Sequence, residues 1–216
     1  MEIINPSQTN RETAYNLFMQ AEMPMVTVTK TLDLTNLIRF SHTSGMKFNI
    51  LFLYCIGKAA LEIPELKYLP CAEGFKKFDG ICLNTLVEDS AGWISFCDIP
   101  LSKDLKTFAA DYDRLTKQVH DTATTYKIPE CAPICTSAIT NCEFDSIVNV
   151  YHSIFDNTIF MAWGKYHKQF RLFGGYKFKR YTLPVSIQFH HAIMDGHHVG
   201  HWLNLIQDTI NHIDQQ

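Results

Sequence analysis

The sequence has little charge, and none of it falls in blocks. Only 19% of its 216 residues are charged and the formal net charge is −3. Without a basic stripe or an acidic tail, it carries neither the electrostatic footprint of a nucleic-acid binder nor the composition of a disordered arm. Long apolar runs are also missing. The longest, Ile50 to Ile56, falls far short of the roughly 20 residues needed to span a bilayer, so no membrane partner is expected. No Gly/Ser linker, low-complexity tract or internal repeat interrupts the chain, which reads as a single domain over residues 1–216. The start, Met1-Glu2-Ile3-Ile4-Asn5-Pro6, lacks the basic segment and apolar run of a secretory leader. A soluble, cytoplasmic protein is the default expectation. The seven cysteines are odd in number, which argues against a disulfide framework. Cys131 and Cys135 are four apart, with no second pair at zinc-finger spacing beside them.

What is present is ample core material, with 46% hydrophobic residues. Thr13 to Gln20 reads as helix, Met25 to Leu34 alternates like a strand, and Asn36 to Ser44 is a further short helix. Lys47 to Leu61 places Phe48, Leu51, Phe52, Cys55, Ile56 and Ala59 on one helical face, and Pro64 closes it. Residues 80 to 97 read as two strands around the turn Asp89-Ser90-Ala91-Gly92. Ser102 to His120 is an amphipathic helix that Ser102 can cap, with Leu105, Phe108, Ala109, Tyr112 and Leu115 inward. A loop containing Pro129 and Pro133 precedes three strand-like runs, Ser146–Tyr151, Ile159–Tyr166 and Tyr181–Phe189. A last helix carries Val199, Trp202, Leu203, Ile206, Ile210 and Ile213 on one stripe. Helices precede and interrupt the strands, so the expected fold is α/β, a two-layer sandwich with a mixed sheet covered by helices.

The most informative stretch is Gln188-Phe189-His190-His191-Ala192-Ile193-Met194-Asp195-Gly196-His197-His198-Val199-Gly200. It joins an alternating strand to an amphipathic helix, a junction that projects side chains into a cleft from rigid supports. Gly196 would permit a tight turn returning the Asp195 carboxylate towards the strand end. Imidazole, with an unperturbed pKa of about 6.5, is a natural base for a hydroxyl at neutral pH. The residues alone leave three readings open. These histidines are ordinary strand-end and helix-start residues, or ligands of a zinc ion, or the site of a general base. His197 and His201 form the only i, i+4 pair on the helix, and no Glu follows His197 as in His-Glu-x-x-His.

The pattern His190-His191-x-x-x-Asp195-Gly196 resembles the signature of the chloramphenicol acetyltransferase family, shared with dihydrolipoamide acyltransferase cores and peptide-synthetase condensation domains. The string from Leu183-Pro184-Val185-Ser186 through His198-Val199 extends the likeness. So do Arg11 followed by Tyr15, Lys47-Phe48 with Tyr54 and Glu65-Leu66, Ser137-Ala138, Phe144-Asp145-Ser146 and Gly164-Lys165-Tyr166, nearly end to end. Chain length favours the chloramphenicol acetyltransferases, since condensation domains are about twice as long and the lipoyl-linked enzymes carry further segments.

The resemblance implies an acetyl-CoA-dependent O-acetyltransferase acting on a hydroxyl of chloramphenicol or a related small molecule, an antibiotic-resistance activity in the former case. It implies that His191 is the general base, that Ser137 stabilises the oxyanion, and that Asp195 pairs with Arg11 to hold the histidine loop. Lys47, Lys165 and Tyr166 would meet the nucleotide end of the coenzyme, and Phe18 and Ala162 would line the substrate site. Acetyl-CoA would be a cosubstrate, with no tightly bound cofactor and no metal. The assembly implied is a homotrimer with active sites between subunits. Several positions depart from the family. Ala162 replaces a threonine, Phe18 a tyrosine, and Ser137-Ala138-Ile139-Thr140-Asn141 a Ser-Ala-Leu-Pro-Trp. A tryptophan ahead of Arg11 is absent, and Phe170 to Arg180, with Gly174-Gly175, is longer and more basic than the family's segment. These departures leave a rival expectation, a non-catalytic ligand-binding or assembly protein that keeps the fold.

Overall fold

The computed structural model describes residues 1–148, 159–174 and 176–215. In chain order its elements are β1 (Glu2–Ile4), α1 (Glu12–Phe18), β2 (Met25–Asp33), α2 (Thr35–Ser44), α3 (Phe48–Ala60), β3 (Tyr68–Cys71), β4 (Gly74–Lys77) and β5 (Gly80–Glu88). There follow β6 (Ile94–Pro100), α4 (Leu105–Thr122), β7 (Cys131–Ala138), β8 (Ile159–Trp163), β9 (His167–Phe173), β10 (Tyr176–His190) and α5 (Gly196–Asn211). Short 3-10 turns lie at Pro6–Gln8, Pro64–Lys67 and Ile213–Gln215.

The alternation in β10 organises the main sheet. Leu183, Val185, Ile187 and Phe189 point to one side and are fully buried. Main-chain groups on both edges of this strand pair with β2 and β8. Among the described residues the sheet runs β2-β10-β8-β7-β5-β6, with β9 paired to the first half of β10. The β5–β7 and β7–β8 ladders are parallel and the others antiparallel, which makes the sheet mixed. A second, three-stranded sheet, β1-β4-β3, was not foreseen, because strands of three or four residues carry too little periodicity to stand out.

Helices pack on the apolar side of the main sheet. The ring of Phe52 in α3 meets Trp163 of β8 edge-on at 5.0 Å, and Trp202 of α5 donates from its indole N–H to the Ile56 carbonyl at 3.5 Å. α3 packs against α2, α4 and α5 as well as β5. Ten of its thirteen residues are buried, so the expected single apolar face understates it: a helix enclosed by neighbours is apolar all round.

Three other expectations need correction. The cap of α4 is Asp104, whose carboxylate accepts from the Thr107 N–H at 2.7 Å, while Ser102 accepts from the Asp104 N–H at 3.1 Å. Pro133, expected in a loop, lies inside β7 opposite Cys82. Pairing of β7 with β8 starts only at Ile134, so the missing N–H of Pro133 sits where the strand has one described neighbour. Of the expected strand Ser146–Tyr151, residues 149–151 lie outside the described residues. Residues 146–148 are not in a strand, and the Ile147 N–H donates instead to Ser186 Oγ at 3.1 Å. The turn between β5 and β6 is as expected, with Gly92 at φ +79° supplying its left-handed residue.

Candidate active site

One short helix holds the histidine loop from two sides. Arg11 stands at the N-terminus of α1 and Phe18 at its last residue. The Arg11 guanidinium donates to the His191 carbonyl at 2.8 Å, to the Ala192 carbonyl at 3.1 Å and to Asp195 Oδ2 at 2.9 Å. A planar fork of five donors suits this three-way grip, which a point charge could not reproduce. At the other end of α1, the Phe18 ring stacks on the His191 imidazole with centroids 4.1 Å apart and planes 3° from parallel. The helix is itself anchored, since the Tyr15 hydroxyl donates to the Cys71 carbonyl and its ring packs edge-on against Phe75 at 5.0 Å.

The loop is further fixed along its backbone. The His191 N–H donates to the Pro24 carbonyl at 2.9 Å. The ring atom His191 Nδ1 is buried and has no hydrogen-bond partner among the described residues, an arrangement that in a native structure asks for a functional reason. His190 points away and is almost fully buried, its Nδ1 accepting from the Ala192 N–H at 3.1 Å. Burial first, and the neighbouring His191 second, push the His190 pKa down to about 4, so its ring is neutral.

Asp195 caps α5. Its Oδ1 accepts from the N–H groups of His197 at 3.0 Å and His198 at 3.4 Å, leaving Oδ2 for Arg11. The carboxylate returns to the strand end through this helix cap and not through glycine geometry: Gly196 is the first residue of α5 and has no positive φ. Burial raises the Asp195 pKa, but hydrogen bonds and charge from His198, with the Arg11 guanidinium, outweigh it and hold the group at about 2. His198 is a member of this network that the sequence reading gave no role. Its Nδ1 lies 2.7 Å from Asp195 Oδ1 and its Nε2 lies 3.5 Å from Glu65 Oε1. The Asp195-x-x-His198 spacing is that of a reciprocal N-terminal cap, which was the available signal. A cavity of about 210 Å³ beside the network is lined by Arg11, Glu65, Tyr68, Phe75 and Ile193, among others, and not by the His191 ring.

Ser137 is elsewhere. It stands opposite Ala162 across the β7–β8 ladder, and Ala162 in turn stands opposite Ser186 of β10. The Ser137 side chain is half-buried. Its row continues to Thr29, whose hydroxyl lies 2.7 Å from that of Ser186. His191 follows Ser186 by five residues, or roughly 16 Å along a strand, and Ser137 is two strands farther across. Within one chain, therefore, Arg11, Phe18, His191 and Asp195 come together, while Ser137 and the buried Ala162 form a separate group.

The three residues expected at the coenzyme form a third group. Lys47 is exposed at the N-terminus of α3. Its neighbour Phe48 meets Tyr166 edge-on with centroids 5.6 Å apart. The exposed Lys165 precedes Tyr166 and is tied by its N–H to the Cys142 carbonyl at 2.8 Å. Among the described residues, no cluster of His, Cys, Asp and Glu is arranged to hold a metal ion, and no helix is long and apolar enough to cross a membrane.

Comparison with known proteins matches residues 1–207 to the family described as Chloramphenicol acetyltransferase. Chloramphenicol acetyltransferase 3 of Escherichia coli is 27% identical over 192 residues, covering 85% of this chain and 84% of its own. A chloramphenicol acetyltransferase of Proteus mirabilis is 24% identical over 214 residues, covering 95% and 92%. Among solved structures, a chloramphenicol acetyltransferase superposes with a TM-score of 0.75 at 21% identity, covering 97% of this chain and 99% of that one. A probable dihydrolipoamide acetyltransferase from Listeria monocytogenes superposes at 0.66 with 15% identity, covering 99% and 94%. At these identities the superpositions establish the fold.

Proposed function

The chain belongs to the chloramphenicol acetyltransferase family, and from that premise we propose that it is an acetyl-CoA-dependent O-acetyltransferase whose acceptor is a hydroxyl of chloramphenicol or a related small molecule. The observation that carries this reading is the fixing of the His191 imidazole, stacked on Phe18 while Arg11 and Asp195 hold its loop. A base positioned by packing and by its backbone is pre-oriented for proton transfer.

In the proposed reaction His191 takes the proton from the acceptor hydroxyl as that oxygen attacks the thioester carbonyl. The tetrahedral oxyanion receives a hydrogen bond from a Ser137 hydroxyl, the carbon–sulfur bond breaks, and the coenzyme leaves as a thiol with the proton from His191. Lys47, Lys165 and Tyr166 hold the nucleotide end, and Phe18 and Ala162 shape the acceptor site. The separation of Ser137 from His191 within one chain fits a site completed by a second copy, and we infer a cytoplasmic homotrimer with active sites at its interfaces. Exposed Trp93, Ile94, Phe96 and Leu86 on the β5–β6 hairpin supply apolar surface for such contacts.

The test is thioester consumption by purified protein with chloramphenicol and a panel of other alcohols. General-base loss in His191→Ala should lower turnover by about 10²–10⁴-fold, and Ser137→Ala by about 10²–10³-fold. Acetyl-CoA consumption that stays at background for every acceptor, and is the same in His191→Ala, sinks the enzyme reading. That outcome would favour a non-catalytic binding or assembly role, for which the methyl of Ala162 beside Ser137, in place of a hydroxyl, is the structural argument.

A further inference from the structure

Two ionisable side chains beside the histidine loop have no part in the proposed reaction, His198 in the first turn of α5 and Glu65 in the 3-10 turn Pro64–Lys67. Neither lies on the surface: the His198 side chain is 18% exposed and that of Glu65 23%. Such groups are seldom taken out of water without partners. Here they face each other, with His198 Nε2 at 3.5 Å from Glu65 Oε1.

The other ring nitrogen decides what this pair does. His198 Nδ1 lies 2.7 Å from Asp195 Oδ1 and 3.4 Å from the Asp195 N–H. A bare nitrogen at 2.7 Å from a carboxylate oxygen would set two lone pairs against each other. The shorter contact therefore takes precedence, and Nδ1 donates to Oδ1. With the His197 and His198 N–H groups on the same oxygen, only Oδ2 is left for Arg11. Without the His198 ring the carboxylate could turn both oxygens to the guanidinium, fork to fork. Two of the three arginine nitrogens would then serve Asp195, and either the His191 or the Ala192 carbonyl would lose its donor. The cavity of about 210 Å³ lined by Arg11 and Glu65 gives the guanidinium room for that shift.

We propose that His198, braced by Glu65, is a positioning residue for the His191 base: it keeps Asp195 on a single nitrogen of Arg11, so that the other two stay on the carbonyls of the histidine loop. The inference rests on the proposed role of His191 as that base. His198 touches neither the His191 ring nor the acceptor; it acts through Asp195 and Arg11.

The experiment measures kcat and KM with acetyl-CoA and chloramphenicol, or the best alcohol of the panel, for the wild-type protein and variants at both residues. His198→Phe fills the volume of the ring without its nitrogens, and kcat should fall about 10–10²-fold with both KM values nearly unchanged. His198→Asn places an amide N–H close to where Nδ1 stood and should recover most of that loss. Glu65→Ala should lower kcat less, and should add nothing in the His198→Phe background, because Glu65 acts through His198. His201→Ala, exposed and three residues farther along α5, should change neither constant. An intact kcat in His198→Phe, an asparagine variant no better than the phenylalanine one, or additive losses at Glu65 and His198 overturns the inference while the enzyme reading stands. Should His198→Phe not fold, Glu65→Ala decides alone, and an intact kcat there overturns the inference. A wild-type protein that consumes no acetyl-CoA defeats both readings.

Discussion

At the residue scale, Arg11 is the position where the most depends on one side chain. It makes three hydrogen bonds to the histidine loop from a side chain that is 14% exposed. Arg11→Lys keeps the charge but not the fork, and should lose the two carbonyl contacts while keeping Asp195. The expected result is a fall in kcat/KM with a melting loss of roughly 1–2 kcal/mol, discounted for the partial exposure of Asp195. Arg11→Ala should cost more on both counts, and equal activity in all three proteins would remove the loop from the mechanism. pH acts on two neighbours in separate windows. His190 titrates at about 4 in the folded chain against 6.5 unfolded, so its contribution is complete above pH 6.5 and is lost as pH falls towards 4. That gap corresponds to about 3 kcal/mol. Asp195, held at about 2 against an ordinary 3.8, loses its contribution only below that range, as pH falls from 3.8 towards 2. Urea unfolding at a series of pH values should therefore show His190→Gln flattening the pH 6.5–4 portion alone. None of this was legible from residues in isolation. Arg11 and Asp195 are 184 positions apart, and only resemblance to a family paired them. The cap spacing Asp195-x-x-His198 was the one local signal, whereas the contact of His198 with Glu65 joins distant parts of the chain and leaves no trace in the sequence.

At the scale of elements, legibility followed periodicity. β10 and α5 show clean apolar spacing, and the structure buries the residues expected of them. β7 did not read as a strand because Pro133 breaks its pattern, although that strand bears Ser137. β9 was also missed, since its polar and apolar residues alternate only over Gln169-Phe170-Arg171-Leu172, too short a run to stand out. The chain is tightly packed at Gly164, just after β8, where an added Cβ would lie 2.7 Å from the Cys142 carbonyl and 2.8 Å from the Phe144 ring. The Cys142 carbonyl cannot retreat without breaking its bond from the Lys165 N–H. Gly164→Ala should therefore destabilise by about 1–3 kcal/mol. Because the displaced segment follows Ser137 and carries Lys165, the KM for acetyl-CoA should rise with it. Gly200→Ala is the contrasting case, within α5 and with no atom inside 4 Å of the new carbon. There the lower entropy of the unfolded chain should stabilise by about 0.4–1 kcal/mol. Thermal melts of the two variants read both signs, and a stable Gly164→Ala would show that the loop at 142–144 yields easily.

At the scale of the whole molecule, the sheet separates what the proposed reaction must join. Ser137 sits in a row with Ala162, Ser186 and Thr29. His191 lies beyond the end of β10, roughly 16 Å along the strand from that row. No rotation of a side chain closes such a gap, and a shift of the strand would break the ladders on both of its edges. If both residues act in one site, they come from two chains. His191→Ala and Ser137→Ala should each be nearly inactive alone. Mixed by co-expression, they should regain activity, because an interface that takes His191 from one variant and Ser137 from the other is intact. In a cyclic oligomer assembled at random from equal amounts, about a quarter of the interfaces have that composition, so about a quarter of wild-type activity is expected. The same mixture of two His191 variants should regain none. Were the Ser137→Ala and His191→Ala mixture also to regain none, with mixed oligomers demonstrated by mass spectrometry, the two residues would not share a site between chains and Ser137 would lose its proposed role.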